Sequence, residues 1–430
     1  MRFKNFIVFS ITIIILLLIT LTASAYEYKS EVSVGLKYGP KAGISTNVSS
    51  KDSLNVYNAV TGDILYTTQP NELVTIEMGS TGFASWNKFD ASGCPKISVQ
   101  SVSKTPISCD GVTYRGYIYL ERRTNGELLV INYVNTDEYV SSVLGKEMSY
   151  TWPIEALKAQ AVCARNFVLT RGKTHSEYGF DVCKTTHCQV YGGVASEHAN
   201  TRQAVNETAG VVATYQGNLV GLYFFATSGG ATEDVENVWG GSYGYLRSVA
   251  DPYENPEKAS RYYWNVTLSR DDIEKKLIAN GIKIGELKRI EQTSFSNSGR
   301  VLEMTFYGTT GHHTVKREKC RTILGLYSQR FTITGDAAAD IKTTSGNATT
   351  PLYTISTEGI DKAAGYAAIS GDNTISVLSI NADNSNNYFI SGGGYGHGVG
   401  MSQWGARGMA ENGFTYDQIL HHYFSNIELE

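Results

Sequence analysis

Residues 145–162, GKEMSYTWPIEALKAQAV, join two helical patterns and decide how the sequence is interpreted. Apolar residues repeat at helical spacing on both sides of this connection. Gly145 predicts the end of the first helix, and Pro153 predicts the start of the second, because proline is tolerated at a first helical position. The sequence therefore predicts a short helical core over residues 137–170, with Glu147 in a loop between its two helices.

Outside this core the sequence shows mainly strand patterns. Residues 26–110 contain short alternating segments separated by polar turns. A hairpin gives the strongest signal: the strand-like Tyr114–Arg122 and Leu128–Val134 flank Asn125-Gly126, a pair that favours a type I′ turn. These patterns predict a mixed α+β fold, in which β-rich domains and the short helical core flank a substrate cleft.

The composition excludes several classes of protein. Of the 430 residues, 42% are apolar and 18% charged, which argues against a disordered or highly charged chain. The net charge of −4 provides no basic field, so we expect no nucleic-acid partner. The 28 tyrosines suit a wet sugar-binding cleft and the filling of β-sheets equally well.

The amino-terminal segment has the pattern of a targeting signal. Arg2 and Lys4 precede an uncharged stretch from Phe6 to Thr22, which is followed by the small-x-small site Ala23-Ser24-Ala25. Residues 1–25 are thus either a cleaved signal peptide or an uncleaved anchor that contacts the membrane through residues 6–22. In both cases we expect an extracytoplasmic protein, membrane-anchored or secreted into the cell-wall space.

Glu147 is the first candidate for chemistry. A single glutamate in a loop is usually a solvated surface residue. Here Met148, Tyr150, Trp152 and Pro153 follow it, and apolar surroundings favour the protonated form of a carboxyl group. A protonated glutamate is the general acid that cleavage of a glycosidic bond requires.

A cysteine and histidine segment is the second candidate. Four residues separate Cys183 from Cys188, His187 is adjacent to Cys188, and His175 lies just upstream. These are the residue types that bind zinc. In an oxidising compartment a Cys183–Cys188 disulfide explains the same spacing, so the residues alone leave both interpretations open.

Two glycine-rich segments are the third candidate. Residues 392–405 contain seven glycines among Tyr395, His397, Gln403 and Trp404, a composition that suits either a sugar-binding cleft or a tight turn before a helix. The segment Ser228-Gly229-Gly230 is expected to line the same groove. Ser228 lacks the motif of a serine nucleophile, which argues against a serine hydrolase.

Taken together, these segments resemble a known family. Residues 145–162 are very similar to its central motif, and residues 181–193, 228–241 and 394–408 are similar to its later blocks in the same order. The family is stage II sporulation protein D with its amidase-enhancer (LytB-type) relatives. The resemblance implies action on peptidoglycan, because the sporulation members are lytic transglycosylases that cut glycan strands stripped of stem peptides.

The resemblance also implies roles for single residues. Glu147 occupies the place of the catalytic glutamate, which cleaves the MurNAc–GlcNAc bond and leaves 1,6-anhydro-MurNAc ends. Some members bind zinc through one histidine and two cysteines, and His175, Cys183 and Cys188 fit those places, with His187 as the alternative ligand. Such a zinc ion is expected to be structural.

The extent of the resemblance predicts how the chain is divided. An amino-terminal β-rich part, 26–110, precedes a catalytic domain over 111–333. Residues 334–388 form an insertion of uncertain structure, and residues 389–430 return to the catalytic domain. The additional length leaves open a role in sporulation, during engulfment, or in remodelling of the vegetative wall.

Two other functions remain compatible with the sequence. One is a non-catalytic protein that binds glycan and enhances an N-acetylmuramoyl-L-alanine amidase, and the other is a zinc-dependent wall hydrolase. The expected partners are peptidoglycan glycan strands and a wall amidase or endopeptidase. The expected substrate-binding residues are Ser228, Tyr395, His397 and Gln403.

Overall fold

The computed structural model describes residues 28–86, 88–172, 174–335, 339–343, 346–348, 375–381 and 386–430. These residues form two compact units. The first contains the described residues up to Thr151 together with Gln160–Gly221 and Ile427–Glu430. The second contains Trp152–Ala159 and the described part of Leu222–Asn426.

The first unit is built mainly from two sheets, one antiparallel and one antiparallel except for a single parallel pair of strands. A seven-stranded sheet has the order β13-β1-β12-β11-β8-β3-β4, and a six-stranded sheet has the order β10-β9-β2-β5-β6-β7. A small sheet pairs β14 with β15 and with the terminal strand Glu428–Leu429. The strands are β1 (Glu31–Lys37), β2 (Ser45–Ser50), β3 (Leu54–Asn58), β4 (Ile64–Thr67), β5 (Val74–Met78), β6 (Phe83–Ser85), β7 (Phe89–Ala91), β8 (Lys96–Ser101), β9 (Ile107–Cys109), β10 (Val112–Tyr114), β11 (Tyr117–Arg122), β12 (Leu128–Asn135), β13 (Val182–Cys183), β14 (Ala213–Tyr215) and β15 (Asn218–Leu219).

The predicted hairpin is confirmed as β11 and β12, but the predicted turn type is wrong. Gly126 has a φ of +81°, whereas Asn125 is not in the left-handed region that a type I′ turn requires at both central residues. The amide of Gly126 donates to the carbonyl of Arg123, and the amide of Arg123 donates to the carbonyl of Glu127. The three-residue loop is therefore a type I turn followed by a left-handed glycine.

The predicted helical core is present as α1 (Thr136–Glu147) and α2 (Ile154–Thr170). Helix α1 begins where the side chain of Asn135 accepts hydrogen bonds from the amides of Asp137 and Glu138. The first residues of α2, up to Ala159, are counted with the second unit, and the rest of the helix belongs to the first. Helix α3 (Ala199–Glu207) and a 3₁₀ turn, Val194–Ser196, also belong to the first unit.

The predicted end of α1 at Gly145 is wrong, because the helix continues to Glu147. Gly145 serves a different purpose: a Cβ at this position would lie 1.9 Å from the carbonyl oxygen of Ser196. The glycine allows the 3₁₀ turn to pack directly against the helix backbone. Glu147 is consequently the last residue of a helix and not part of a loop.

The second unit also combines sheets with helices. A six-stranded sheet has the order β20-β19-β18-β24-β22-β23, a three-stranded sheet the order β17-β25-β21, and β16 pairs in parallel with β26. The strands are β16 (Phe224–Phe225), β17 (Tyr263–Ser269), β18 (Leu287–Phe295), β19 (Val301–Gly308), β20 (Gly311–Lys316), β21 (Phe331–Gly335), β22 (Ala339–Thr343), β23 (Gly346–Ala348), β24 (Ile375–Asn381), β25 (Asn387–Gly393) and β26 (Met401–Ser402).

The helices of the second unit are short and pack on these sheets. One apolar core joins Ile273 and Leu277 of the helix over 270–279 with Ile290, Phe306 and Ile390 of the strands. Burial of such side chains supplies most of the stabilisation of the unit. The helices are α4 (Val235–Val238), α5 (Arg270–Ala279), α6 (Lys319–Thr322), α7 (Gln403–Glu411) and α8 (Tyr416–Tyr423).

The predicted mixed α+β fold class is confirmed, while the compact units follow other divisions than the predicted domains. Strand pairing crosses residue 111, because β9 pairs with β10. Strand β24, within the predicted insertion 334–388, pairs with β18, so the described strands of that segment belong to a sheet of the second unit. Among the described helices, none has the length and apolar character needed to cross a bilayer. The predicted targeting segment, 1–25, lies outside the described residues.

Candidate functional site

Glu147 is half-buried at the carboxyl-terminal end of α1. One turn before it, the buried residues Val143 and Leu144 fix the helix in the core of the first unit. The close packing of Gly145 on the Ser196 carbonyl holds the helix end from the side. Glu147 therefore ends a helix that is held by packing and is itself only half-buried.

Tyr139 connects α1 to the cysteine and histidine segment. Its buried hydroxyl donates a hydrogen bond of 3.2 Å to Oε1 of Gln189. Burial raises the pKa of Tyr139 far above its usual value, and negative charge on Cys188 and on Glu147 raises it further. Tyr139 is therefore a neutral hydroxyl within electrostatic reach of both the predicted catalytic acid and the predicted metal ligands.

The four predicted metal ligands lie together in the first unit. The donor atoms of His175, Cys183, His187 and Cys188 are all within 4.8 Å of one another. Sγ of Cys188 is 3.4 Å from Nε2 of His175 and 3.6 Å from Nδ1 of His187, and Sγ of Cys183 is 3.8 Å from the same Nδ1. His175 and His187, predicted as alternatives, are thus both part of the cluster.

The strands around β13 explain why these residues meet. Cys183 lies in β13, which pairs in parallel with β1 through Gly35. His175 forms an antiparallel bridge to Phe180, and the two rings stack with centroids 4.7 Å apart. Cys183 belongs to the apolar core that includes Phe180, so the cluster is partly sheltered from solvent.

The donor set fits a tetrahedral zinc ion. With Zn–S distances of about 2.3 Å and Zn–N distances of about 2.0–2.1 Å, tetrahedral coordination separates a sulfur from a nitrogen donor by about 3.6 Å. The observed sulfur–nitrogen distances of 3.4–3.8 Å match this value. The two sulfur atoms are not bonded to each other, and all six cysteines of the chain are free thiols.

The two thiols differ in acidity. Burial alone would raise the pKa of Cys183, but hydrogen bonds from Thr185, His187 and Tyr38 lower it below its ordinary value. Burial raises the pKa of Cys188, and negative charge on Cys183 raises it further. The pair therefore loses its first proton readily and its second with difficulty. A bound cation would stabilise the second thiolate.

In the second unit, the two glycine-rich segments lie side by side. Thr227 and Tyr395 exchange backbone hydrogen bonds of 2.7 and 3.1 Å. Gly394, with a φ of +87°, approaches so closely that a Cβ there would lie 2.8 Å from the carbonyl oxygens of Thr227 and Ser228. The predicted association of Ser228 with the 392–405 segment is present within this unit.

A relative found by sequence comparison is the Amidase enhancer of Bacillus subtilis, 31% identical over 310 residues. That match covers 67% of this chain but only 40% of the relative's own length. Stage II sporulation protein D of the same organism is 27% identical over 308 residues, which is 68% of this chain and 74% of that protein. An uncharacterized protein of Brachyspira hyodysenteriae is 28% identical over 390 residues, 90% of each chain.

Residues 124–215 match the SpoIID family model, described as stage II sporulation protein. The match to this model and the relatives named Amidase enhancer and Stage II sporulation protein D together support the SpoIID/LytB family for this chain. The region that matches the model includes Glu147 and all four residues of the cysteine and histidine cluster. These similarities support a role connected with the cell wall.

Buried carboxylates hold the glycine-rich segments of the second unit in place. Glu254 accepts hydrogen bonds from the amides of Ser228, at 2.6 Å, and Gly229, at 3.0 Å, and from the hydroxyl of Ser402. Burial and the charge of Glu254 raise the pKa of Asp251 to about 7. Sequence patterns did not indicate either acid, because neither belongs to a motif with a known chemical role.

The predicted substrate residues differ in accessibility. Ser228 is fully buried, and its hydroxyl accepts a hydrogen bond from the amide of Gly230, so a contact between Ser228 and a sugar has no support in this structure. Gln403 is almost buried as the first residue of α7. Tyr395, with 42% of its surface exposed, is accessible to a ligand.

His397 is half-buried in the second unit. Its ring lies 4.8 Å from that of Trp239, and its Nδ1 accepts a hydrogen bond from the amide of Val399. Burial, together with the positive charges of Arg321 and Arg300, lowers the pKa of His397 to about 3. His397 is thus a neutral ring that stabilises the glycine-rich turn. The predicted proximity of His397 or Gln403 to Glu147 stays a prediction, because Glu147 belongs to the other unit.

Proposed function

We propose that the protein is a peptidoglycan lytic transglycosylase with Glu147 as its catalytic acid and base. The observation that carries this proposal is the position of Glu147 in the SpoIID region, half-buried at the end of a helix that Gly145 fixes in place. The carboxyl-terminal end of a helix carries partial negative charge, which favours the neutral form of an acidic side chain. This supports a role in donating a proton.

One carboxyl group is sufficient for this reaction. Glu147 donates its proton to the oxygen of the MurNAc–GlcNAc bond, which breaks between that oxygen and C1 of MurNAc. The Glu147 carboxylate then accepts the proton of the C6 hydroxyl. At the same time the C6 oxygen bonds to C1 and closes the 1,6-anhydro ring. Because the nucleophile belongs to the same sugar, its effective concentration is high and no water is consumed.

We propose that zinc is bound by His175, Cys183, His187 and Cys188 and has a structural role. Four protein donors fill a tetrahedral site and leave no position for a substrate or a reactive water. When bound, the ion would fix the loop that carries Gln189, the partner of Tyr139. This donor set therefore supports a transglycosylase more than a zinc-dependent hydrolase.

An aromatic side chain near Glu147 supports a sugar ligand. Tyr150 follows Glu147 by three residues and has 45% of its surface exposed. One face of its ring stacks on His198, with centroids 3.9 Å apart. With nearly half of its surface exposed, Tyr150 offers apolar contact of the kind through which aromatic residues bind a pyranose ring. We propose glycan strands as the ligand and the space outside the cytoplasm as the location.

The test is analysis of the products that the purified full chain releases from glycan strands. We expect 1,6-anhydro ends from the parent protein and at least a thousandfold slower release from the Glu147→Gln variant, because glutamine cannot cycle a proton. The matched control is Glu127→Gln, which changes another half-buried glutamate of the same unit and should leave the rate unchanged. Near-parental release by a folded Glu147→Gln variant would refute the proposal.

A second candidate function follows from the similarity to a protein named Amidase enhancer. In that case the chain would bind glycan and stimulate a separate amidase without cutting the strand. The same assay distinguishes the two functions. Absence of product from the parent, combined with faster release of stem peptides by an added wall amidase, would establish the enhancer. Reducing ends in place of anhydro ends would indicate a hydrolase.

A further inference from the structure

An exposed arginine is stacked on two tyrosines beside the glycine-rich segment of the second unit. The guanidinium carbon of Arg261 lies 3.6 Å from the ring centroid of Tyr327 and 5.3 Å from that of Tyr395. The two tyrosine rings meet edge to face, with centroids 5.7 Å apart. Arg261 therefore occupies the corner between a half-buried ring and an exposed one.

The backbone fixes all three residues relative to one another. The amide of Gly394 donates to the carbonyl of Arg261, and the amide of Gly396 donates to the carbonyl of Tyr327, both at 3.0 Å. These two bonds are on either side of Tyr395. Arg261 itself has a φ of +57°, a left-handed conformation that is unfavourable for a residue with a side chain. Backbone strain of this kind is concentrated at functional sites.

The charge of Arg261 is not balanced within the described part of the chain. Among the residues that the structure describes, no carboxylate pairs with its guanidinium and no acceptor receives a hydrogen bond from it. Its planar group can donate two parallel hydrogen bonds to a carboxylate, and the stacking on Tyr327 already restricts its rotation. The exposed ring of Tyr395 provides an adjacent apolar face of the kind that binds sugars.

We infer that Arg261 and Tyr395 form a binding site for a carboxylated sugar, with Arg261 as the residue that determines specificity. This inference rests on the proposed function, which makes glycan the ligand. The carboxylate of the glycan is the lactyl group of muramic acid, and it is free only where no stem peptide is attached. A pyranose stacked on Tyr395 would bring this substituent towards the guanidinium, whereas an amide bond to a peptide would remove the charge.

The experiment compares binding to two forms of the same glycan strands. One form is prepared by removing the stem peptides, which leaves free lactyl carboxylates, and the other has those carboxylates converted to methylamides. All proteins carry Glu147→Gln, so that the strands stay intact. Affinities are measured for this parent and for Arg261→Gln, Arg261→Lys and Lys258→Gln. The last variant is the matched control, because it removes one exposed positive charge three residues away.

We expect the parent to prefer the carboxylate strands, and Arg261→Gln to lose about tenfold in affinity for them, which corresponds to about 1.4 kcal/mol. Its affinity for the amidated strands should be unchanged. Arg261→Lys keeps the charge without the planar fork and should lose less, while Lys258→Gln should keep the preference. A thermal melt verifies that each variant is folded.

Two results would overturn the inference. Equal affinity of the parent for both forms would show that no carboxylate is recognised, while leaving a glycan ligand in place. If Arg261→Gln lowered the affinity for the carboxylate strands and for the amidated strands equally, Arg261 would only maintain the shape of the binding surface and would not determine specificity. Absence of binding to either form would instead contradict the proposed function itself.

Discussion

The packing of Gly145 against Ser196 predicts an unusual response to substitution. Replacing a glycine inside a helix by alanine normally stabilises the helix by about 1 kcal/mol. At residue 145, however, the new Cβ would lie 1.9 Å from the Ser196 carbonyl oxygen and 3.0 Å from its carbonyl carbon. Both are backbone atoms, which cannot move aside by a change of rotamer. Helix α1 and the 3₁₀ turn would have to separate by more than 1 Å.

The cost of this separation should exceed the helical gain. Overpacking of a filled interior costs about 1–3 kcal/mol, and the turn is also fixed by a hydrogen bond from the Ser142 hydroxyl to the Gly193 carbonyl. Taking the upper end of that range and subtracting about 1 kcal/mol for helix propensity, we expect Gly145→Ala to destabilise the first unit by about 2 kcal/mol. Its melting temperature should fall by about 4–8 °C.

Differential scanning calorimetry measures this effect for each transition of a chain with two units. Lys146→Ala is the matched control, because it changes an exposed neighbour in the same helix and should alter stability by less than about 0.5 kcal/mol. The displaced helix end should also slow glycan cleavage in Gly145→Ala, since Glu147 lies two residues further on. A melting temperature that rises in Gly145→Ala would refute the reasoning, because it would mean that the helical gain prevails.

Two further predictions concern the charged and metal-binding groups. We expect one zinc ion per chain in protein purified without chelator, with His187→Ala and His175→Ala losing it equally and the exposed His312→Ala retaining it. Elemental analysis measures the zinc content, and full zinc content in His187→Ala would contradict the four-ligand site. A mass lower by two hydrogens at Cys183 and Cys188 would also contradict it, because it would indicate a disulfide. We also expect Asp251→Asn to gain stability over the parent as pH rises from about 4 to 7, by at most about 1.4 kcal/mol per pH unit. The pKa of Asp251 rises from 3.8 to about 7 on folding, so the folded parent retains a proton that the unfolded chain releases. Urea titrations measure the stability of both proteins, and a stability difference between them that did not change with pH would contradict the raised pKa of Asp251.

Local sequence signals predicted the parts of the fold that depend on neighbouring residues. The hairpin of β11 and β12 and the start of α2 after Pro153 follow from turn and helix preferences. The end of α1 could not be predicted from local preferences, because the contact that requires Gly145 comes from Ser196, about fifty residues later. The type of the hairpin turn was also missed, since Asn-Gly is compatible with more than one loop geometry.

In the candidate site, too, local sequence signals predicted some features, while features that depend on distant residues were missed. The residues of the cysteine and histidine cluster lie within fourteen positions, and their spacing was sufficient to select them. It was not sufficient to decide that both histidines belong to the cluster, which depends on the bridge between His175 and Phe180. The burial of Ser228 depends on Glu254 and Arg300, two residues brought to it by the tertiary fold. No local pattern indicates such partners.

The pairing of Glu428–Leu429 with β14 has a consequence for how the protein matures. Val212 and Glu430 exchange backbone hydrogen bonds, so the small sheet of the first unit is completed by residues synthesised after nearly all of the second unit. Vectorial synthesis or export from the amino terminus therefore cannot deliver a finished first unit ahead of the second. Helix α1 would emerge well before the strand Glu428–Leu429, and the small sheet would stay incomplete until that strand has been synthesised.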